Sequence, residues 1–184
     1  MEPDATPTDV AEDHPTIVVV MGVCGCGKTL IGKALAQAMG CRFVEGDEYH
    51  PAENVIRMRR GNPLTDEDRR GWLDAIAGEI TQSDHAKTPV VIACSALKRA
   101  YRDRLRTASS RILFIHLETD RATATARTSL RKDHFMPPSL VDSQFADLEP
   151  PLEDERAVTL DAALDPEELV SLSLAMLVVT SPGP

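Results

Sequence analysis

The sequence lacks both a long apolar run and a surplus of basic residues. No apolar stretch reaches the roughly 20 residues that a membrane-spanning helix needs. The net charge of −9 at pH 7 argues against a broad nucleic-acid-binding surface, because contacts to phosphate backbones depend on clustered lysine and arginine. Residues 1–15 are acidic and contain prolines, unlike a basic and then apolar secretory signal. We therefore expect a cytoplasmic protein that acts on a small molecule and binds neither membranes nor nucleic acid.

Paired cysteines with metal-ligand spacing are also lacking. The cysteines are Cys24, Cys26, Cys41 and Cys94, and the single Cys-x-Cys has no second ligand pair at a suitable distance, which argues against a zinc site. A reducing cytosol disfavours structural disulfides. Two interpretations stay open for Cys24 and Cys26. They are small residues that fill loop positions, or they are oxidation-prone thiols whose pKa is depressed by a helix start and by Lys28.

The chain has the length and composition of one domain. It contains 184 residues, of which 42% are hydrophobic, enough for a proper core. No internal repeat is visible. We predict a disordered N-terminal tail over residues 1–15 and a single domain over residues 16–184.

A glycine-rich segment is the most informative motif. Residues 22–29 read Gly-Val-Cys-Gly-Cys-Gly-Lys-Thr, a full match to G-x-x-x-x-G-K-[ST]. An apolar, β-branched run over residues 16–21 precedes it and a helical pattern over residues 30–39 follows, as in a phosphate-binding loop. The motif therefore predicts that the chain binds a nucleoside triphosphate. The predicted nucleotide-binding residues are Gly22, Val23, Cys24, Gly25, Cys26, Gly27, Lys28, Thr29 and Leu30.

Each residue type in this loop has a physical reason. Its glycines allow the backbone to turn successive N–H groups towards an anion. The positive end of the following helix favours the β-phosphate, and Lys28 adds a mobile charge for the β- and γ-phosphates. The Thr29 hydroxyl is placed to bind Mg²⁺.

Apolar strands alternate with helical patterns along the rest of the chain. Such alternation favours an α/β fold with a parallel sheet covered on both faces, in which ligands lie outside the carboxyl ends of the strands. The predicted strands cover residues 16–21, 41–45, 89–94, 111–117 and 156–160. The predicted helices cover residues 30–39, 51–60, 65–81, 97–107, 121–130 and 166–179.

Polar residues follow the predicted strands at this edge. Asp47 follows the second strand, where a carboxylate facing the γ-phosphate could accept the proton of a substrate hydroxyl or orient it for in-line attack. Its alternative is the turn or N-cap role common for aspartate after a strand. His50 could hydrogen-bond a polyol or a carboxylate, or could be a turn residue before Pro51. Lys98 follows the third strand.

Basic residues form three clusters in this acidic chain. Two of them, within residues 57–60 and 98–106, have the simpler interpretation of a solvated helix end and a charged helix face. The third precedes two prolines, which favours a flap that closes arginines over the transferring phosphoryl group and excludes water. This third cluster consists of Arg127, Arg131, Lys132 and His134.

Motifs beyond the phosphate loop run through most of the chain. They are Met21-Gly-Val-x-Gly-x-Gly-Lys-Thr29, Glu45-Gly-Asp-x-x-His-Pro51, Asn54-x-x-x-Met58, Gly61-x-Pro-Leu-x-Asp-x-Asp-Arg69, Trp72-Leu73, Cys94-Ser-Ala-Leu-Lys98, Tyr101-Arg-Asp-x-Leu105 and His134-Phe-Met136. Together they resemble the gluconokinase family of phosphate-loop kinases, from about residue 17 to residue 161. This resemblance is far more specific than the phosphate loop alone.

The resemblance implies an enzyme that uses ATP and Mg²⁺ to phosphorylate D-gluconate at the 6-hydroxyl. It also implies a P-loop NTPase fold of the nucleoside-monophosphate-kinase type, which is a three-layer α/β sandwich with a five-stranded parallel sheet and a lid. The lid would cover approximately residues 127–142. Members of the family are often dimeric, so a homodimer is expected.

The resemblance also implies roles for individual residues. Asp47 would act as the base, and Arg57 and Arg102 would bind the substrate carboxylate, because a planar guanidinium binds a carboxylate bidentately. Residues 149–155 would carry the adenine loop. The implied catalytic residues are Lys28, Asp47, Arg127 and Arg131. The implied substrate-binding residues are Asp47, His50, Arg57, Lys98, Arg102 and His134, and Thr29 is the implied metal ligand.

Three features depart from the family pattern. Cys24 and Cys26 stand where serines are common, which should preserve function. Glu45 stands where aspartate is frequent, so its reach towards magnesium differs. Asp133 takes a position that is usually glycine and so affects lid motion more than chemistry.

Two alternative functions stay open. A shikimate-kinase-like enzyme would share the fold and the loop, but that family usually has three glycines where residues 94–96 read Cys-Ser-Ala. A nucleotide-dependent switch belongs to a different class of protein. Against it, the sequence has neither an Asn-Lys-x-Asp motif nor an acidic residue at the end of the third strand.

Overall fold

The computed structural model describes residues 17–130 and 137–179. The predicted tail over residues 1–15 lies outside these ranges, as do residues 131–136 of the predicted lid, which include Arg131, Lys132, Asp133 and His134. No helix in the described ranges is both long enough and apolar enough to cross a membrane.

Five parallel strands form one sheet in the order β2-β3-β1-β4-β5. Residues of β1 and β3 are buried throughout, as expected for strands covered on both faces. The strands therefore confirm the predicted parallel sheet. Their bounds are β1 Ile17–Met21, β2 Arg42–Glu45, β3 Val90–Ala93, β4 Ile112–Glu118 and β5 Ala157–Asp161.

Helices cover both faces of the sheet and give the predicted three-layer α/β sandwich. The third helix begins at a capping box. The Thr65 side chain accepts a hydrogen bond from the backbone N–H of Asp68, and the Asp68 side chain accepts one from the backbone N–H of Thr65. The helices are α1 Lys28–Ala38, α2 Ala52–Arg59, α3 Asp66–Ala86, α4 Arg99–Arg106, α5 Arg121–Ser129, α6 Val141–Asp147 and α7 Pro166–Val179.

The strand β1 divides the core into two parts. Val18 and Val20 belong to the cluster that contains residues of α1 and α7. Ile17, Val19 and Met21 belong to the cluster that contains residues of α3 and α4. Successive side chains of a strand point to opposite faces, so one strand anchors both layers of helices.

Three short elements were not predicted from the sequence. They are the helix α6 and the 3₁₀ turns Gly46–Tyr49 and Pro138–Leu140. Each has seven residues or fewer, which is too short for a helical period to stand out from its surroundings. Two of them nevertheless carry cleft residues, as described below.

Candidate active site

The phosphate loop lies between β1 and α1 and follows a backbone path that requires glycine. Gly22, Gly25 and Gly27 all have positive φ values, which L side chains rarely adopt. At Gly25 space is lacking as well, since a Cβ atom would lie 2.5 Å from the carbonyl oxygen of Ala124 in α5. The loop is therefore packed against a neighbouring helix as well as being turned sharply.

The Lys28 side chain folds back over this loop. Its Nζ donates hydrogen bonds to the carbonyl oxygens of Gly22 and Val23, both at 3.0 Å. Burial acts to lower the pKa of Lys28, but nearby acidic groups, including Cys26 and Asp47, outweigh it and raise the pKa. The ammonium group is therefore charged at neutral pH. It lies over the loop that the sequence motif predicts to bind the β- and γ-phosphates.

Thr29 and Glu45 bring two side-chain oxygen groups together beside the loop. The Thr29 hydroxyl donates to Glu45 Oε2 at 2.7 Å, so the longer glutamate side chain does reach the threonine. Mg²⁺ in nucleotide sites uses few protein oxygens and takes its remaining ligands from water and phosphates. A hydroxyl and a carboxylate fit that requirement. Within the described residues, no cluster of three or more His, Cys, Asp or Glu side chains suits a metal held by protein alone.

A 3₁₀ turn directly after β2 carries Asp47. The Trp72 indole donates from Nε1 to the carbonyl oxygen of Gly46 at 2.7 Å. On the other side, a Cβ atom at Gly46 would lie 2.3 Å from the carbonyl oxygen of Ala93, so only glycine fits. The turn is thus fixed between α3 and β3. Asp47 is half-buried, and its charge contributes to the raised pKa of Lys28.

His50 lines the cleft that begins beside this turn. Its ring stacks on Trp72 with centroids 4.3 Å apart and an interplanar angle of 12°. Burial, reinforced by the charge of Arg69 and opposed by Asp47, lowers the pKa of His50 to about 4. The imidazole is therefore neutral at pH 7 and suits hydrogen bonding rather than ion pairing. We call it the acceptor cleft, and the other residues that line it are Met58, Pro63, Leu64, Arg69, Trp72, Ser95, Leu97, Leu140, Ser143 and Gln144.

Arg69 is a cleft residue that the sequence reasoning missed. Its Nη1 donates to the Tyr101 hydroxyl and to Asp147 Oδ2, both at 2.9 Å. Among the described residues, no hydrogen bond from Nε or Nη2 is present, so these two donors are available at the cleft wall. Arg69 is the last residue of a motif that carried the resemblance, but the resemblance was not used to assign it a role.

Two predicted substrate residues are engaged with carboxylates at the cleft margin. Lys98 forms ion pairs with Asp66 at 2.7 Å and with Asp147 at 3.5 Å, and the hydrogen bond to Asp66 raises the pKa of Lys98. Arg57 is exposed on the last turn of α2 and pairs with Asp68 at 3.1 Å. Neither residue is among those that line the acceptor cleft.

Arg102 is placed differently from its prediction as a ligand for the substrate carboxylate. The side chain is fully buried, and its Nε and Nη2 donate to both carboxylate oxygens of Glu155, at 2.6 and 2.8 Å. Nη1 donates to the carbonyl oxygens of Ala96, Leu97 and Glu149. Because the guanidinium is buried and all three of its nitrogens donate to protein groups, the prediction that Arg102 binds the substrate carboxylate is wrong. Arg102 fastens the segment before β5 to α4.

We expect the variant Arg102→Met to lower the free energy of unfolding by about 3–5 kcal/mol, because Glu155 would keep a buried charge without its main partner. The matched control is Arg104→Met on the same helix. Arg104 pairs with Asp74 in an exposed position, so its loss should cost less than about 1 kcal/mol. Urea denaturation followed by circular dichroism measures both. Equal losses in the two variants would contradict a structural role specific to Arg102.

A second pocket, of about 400 Å³, lies beside the phosphate loop. The Arg127 guanidinium donates to the carbonyl oxygen of Ala162 at 3.3 Å across this pocket. Residues 149–155, predicted as the adenine loop, do not line this pocket and contact α4, where Glu149 accepts from the backbone N–H of Arg99 at 2.6 Å. The pocket is lined by Gly25, Cys26, Gly27, Leu30, Ile31, Arg127, Leu130, Ala162, Leu164, Pro166 and Leu169.

The loop cysteines are buried and free. Burial raises the pKa of Cys24, although the charge of Lys28 opposes it. The expectation of a depressed pKa is therefore wrong for Cys24, because the loss of hydration outweighs the nearby cation. A small side chain that fills a loop position is the interpretation that this burial supports.

Comparisons with known proteins show which family the chain is similar to. Residues 24–170 match the shikimate kinase family model. The chain is 42% identical over 153 residues to a gluconokinase from Gluconobacter oxydans, covering 83% of this chain and 86% of that protein. It is 43% identical over 141 residues to the thermosensitive gluconokinase of Escherichia coli, covering 76% of this chain and 75% of that protein.

Solved structures give the same result. A gluconokinase from Sinorhizobium meliloti superposes with a TM-score of 0.82 at 42% identity, over 91% of this chain and 94% of that chain. A shikimate kinase from Aquifex aeolicus superposes with a TM-score of 0.62 at 14% identity, over 88% of this chain and 96% of that chain, a likeness of fold alone. The chain therefore belongs to the gluconokinase family of phosphate-loop kinases.

Proposed function

We propose that this protein transfers the γ-phosphoryl group of ATP to the 6-hydroxyl of D-gluconate, giving 6-phospho-D-gluconate and ADP. One observation carries the proposal. The charge of Asp47, on the turn after β2, interacts with that of Lys28 on the phosphate loop, and His50, three residues further along, lines the acceptor cleft, in a chain about 42% identical to gluconokinases. An acid opposite a phosphate-binding cation is the arrangement that phosphoryl transfer to an alcohol requires.

The nucleotide would occupy the loop and the pocket beside it. Its phosphates would meet the N–H groups at the start of α1, and its base would lie between Leu30, Arg127 and the residues that follow β5. Thr29 and Glu45 would hold Mg²⁺, which neutralises phosphate charge when it is bound. In this proposal Arg127 takes part in nucleotide binding. The roles of Arg131 and His134 in closing the site stay proposals for residues outside the described ranges.

The transfer itself needs placement and charge more than covalent chemistry. Asp47 would accept the proton of the 6-hydroxyl as its oxygen attacks the γ-phosphorus, and the bond from that phosphorus to the bridging oxygen of ADP breaks. Lys28 would stabilise the charge that develops on the phosphoryl oxygens. His50, neutral and fixed on Trp72, would hydrogen-bond a hydroxyl of the sugar acid.

Arg69 takes the place of Arg102 as the proposed ligand for the substrate carboxylate. It lines the acceptor cleft, and its Nη1 is held by Tyr101 and Asp147, which fixes the plane of the guanidinium. A guanidinium of fixed orientation binds a carboxylate with two parallel hydrogen bonds and rejects a neutral sugar. Arg57 and Lys98, at the margin, would add positive charge to the approach.

The test of the function is an acceptor panel. Release of ADP is measured by a coupled assay with ATP and D-gluconate, shikimate, neutral sugars, nucleosides or no acceptor. We expect turnover with D-gluconate that exceeds every other arm by at least tenfold. Preference for shikimate would favour the shikimate-kinase-like alternative. Hydrolysis that no acceptor accelerates would favour a nucleotide-dependent switch.

The variant Arg69→Met should raise the KM for D-gluconate about 10- to 100-fold, because hydrogen bonds to a charged group contribute about 1.5–3 kcal/mol. The KM for ATP should change less than about threefold, since Arg69 lies away from the loop pocket. Arg70→Met is the matched control, because Arg70 is exposed and its ion pair within the described residues is with Glu67. Steady-state kinetics measure both constants. A KM for D-gluconate that is unchanged in Arg69→Met would contradict this role.

Two further proposals concern the protein as a whole. We propose that it acts as a homodimer, as the family resemblance implies, and in the cytoplasm, as expected from the composition of its sequence. Light scattering after size-exclusion chromatography tests the dimer. A mass of one chain at micromolar concentration would contradict it.

A further inference from the structure

One side chain, that of Gln144 in α6, contacts both the phosphate loop and the acceptor cleft. Its Oε1 accepts a hydrogen bond from the backbone N–H of Cys24 at 2.6 Å. The residue is 7% exposed and lines the acceptor cleft together with His50 and Ser95. No motif in the sequence pointed to Gln144, because it lies in a short helix that was not predicted.

The peptide group that Gln144 contacts is also the one that Lys28 contacts. The N–H of Cys24 and the carbonyl of Val23 belong to a single planar unit. Gln144 binds its N–H end, and Lys28 Nζ binds its carbonyl end at 3.0 Å. A rotation of this peptide would therefore move the oxygen on which the lysine ammonium rests.

The loop is held rigidly on its other side. Gly25 packs against the backbone of Ala124, with no room for a Cβ atom. The Thr128 hydroxyl donates to the carbonyl oxygen of Ala124 at 2.8 Å and forms part of the same wall. Since this wall is helix backbone, it fixes one side of the loop. The hydrogen bond from the Cys24 N–H to Gln144 Oε1 then sets the orientation of the peptide on the side of the acceptor cleft.

We propose that Gln144 is a positioning residue for phosphoryl transfer. By holding the Val23–Cys24 peptide, it sets Lys28 and the phosphate loop at a fixed distance from the acceptor cleft that it also lines. This inference rests on the proposed kinase function and adds a residue that acts through the loop. Alignment of two reactants depends on distances of about 1 Å, so a single hydrogen bond of this kind has a large effect on turnover.

The test compares three variants of the full chain. Gln144→Met keeps the length of the side chain and removes the acceptor, whereas Gln144→Glu keeps an acceptor and adds a negative charge. Gln37→Met is the matched control, because Gln37 is exposed on α1, the helix that begins at the phosphate loop. Steady-state kinetics with ATP and D-gluconate, ATP hydrolysis without acceptor, and melting temperature are measured for each.

We expect Gln144→Met to lower kcat about 30-fold, with the KM for D-gluconate within about threefold of the wild type, since alignment rather than binding is lost. Gln144→Glu should keep kcat within about fivefold, but should raise the KM for ATP about tenfold, because its carboxylate faces the phosphates. Gln37→Met should match the wild type in every constant. A purely structural residue would lower the melting temperature and the folded fraction, and would leave kcat per folded enzyme unchanged.

Three results would overturn the inference. They are a kcat in Gln144→Met within threefold of the wild type, a loss that follows the folded fraction, and a Gln144→Glu enzyme as slow as Gln144→Met. A wild-type enzyme that does not phosphorylate D-gluconate contradicts the proposed function instead. The same variants are then compared with an acceptor that the wild type does use, or by their hydrolysis of ATP by water, which depends on the same placement of Lys28.

Discussion

Replacing Lys28 by methionine is expected to lower kcat/KM by about 10³-fold, which corresponds to about 4 kcal/mol of transition-state stabilisation. The ammonium rests on two carbonyl oxygens of the loop, and its raised pKa keeps it charged over the whole working range of pH. Methionine has a similar length but no charge, so it should leave the fold intact. Steady-state kinetics and a melting curve measure the two effects separately.

Lys33 provides the control for this experiment. It lies on the same helix as Lys28, is exposed, and has its ammonium 5.8 Å from the centroid of the Phe43 ring. Lys33→Met should therefore keep kcat/KM within about twofold, since removal of an exposed charge far from the phosphates has little effect on the transition state. If Lys28→Met retained more than a tenth of the wild-type rate, the phosphate role assigned to Lys28 would be wrong.

Replacing Asp47 by asparagine should lower kcat by about 10²- to 10⁴-fold, the usual contribution of a positioned general base. Asparagine keeps the shape of the side chain and cannot take the proton of the 6-hydroxyl. The turn should keep its place, because Gly46 and Trp72 fix it through the backbone. The KM for ATP should change little, since the loss falls on the chemical step.

The neighbouring acid Glu48 gives a matched control. Glu48 is exposed on the same 3₁₀ turn, so Glu48→Gln removes one charge at nearly the same place in the chain. We expect its kcat to equal that of the wild type within about twofold, as for most surface substitutions. Similar losses in both variants would show that the turn needs negative charge in general and would contradict a specific role for Asp47.

The fold followed from the sequence to a large extent. The β-branched run before the phosphate loop and the apolar strands after it gave the five parallel strands within one or two residues of their bounds. Strands buried on both faces have a composition that differs from everything around them, which is why they could be recognised. The short helix α6 could not be, because its seven residues span only two turns.

The candidate site was predicted less completely. The loop residues could be predicted because the phosphate loop is formed by consecutive residues, so that the spacing of the motif along the chain also fixes its local structure. The arginines behave differently. Arg69 and Arg102 have the same chemistry and both lie in family-like motifs, yet one lines the acceptor cleft and the other is enclosed by Glu155 and three carbonyl oxygens.

The sequence by itself determined the phosphate loop, the parallel sheet and the acid after the second strand. These depend on interactions between residues close together in the chain and on burial, which composition reveals. Only the tertiary structure decided which arginine lines the acceptor cleft, where a second pocket lies beside the phosphate loop, and that Gln144 reaches Cys24 from 120 residues away. Such contacts join segments that are distant in the chain. The sequence around a charged or amide side chain does not reveal which distant residue it will contact.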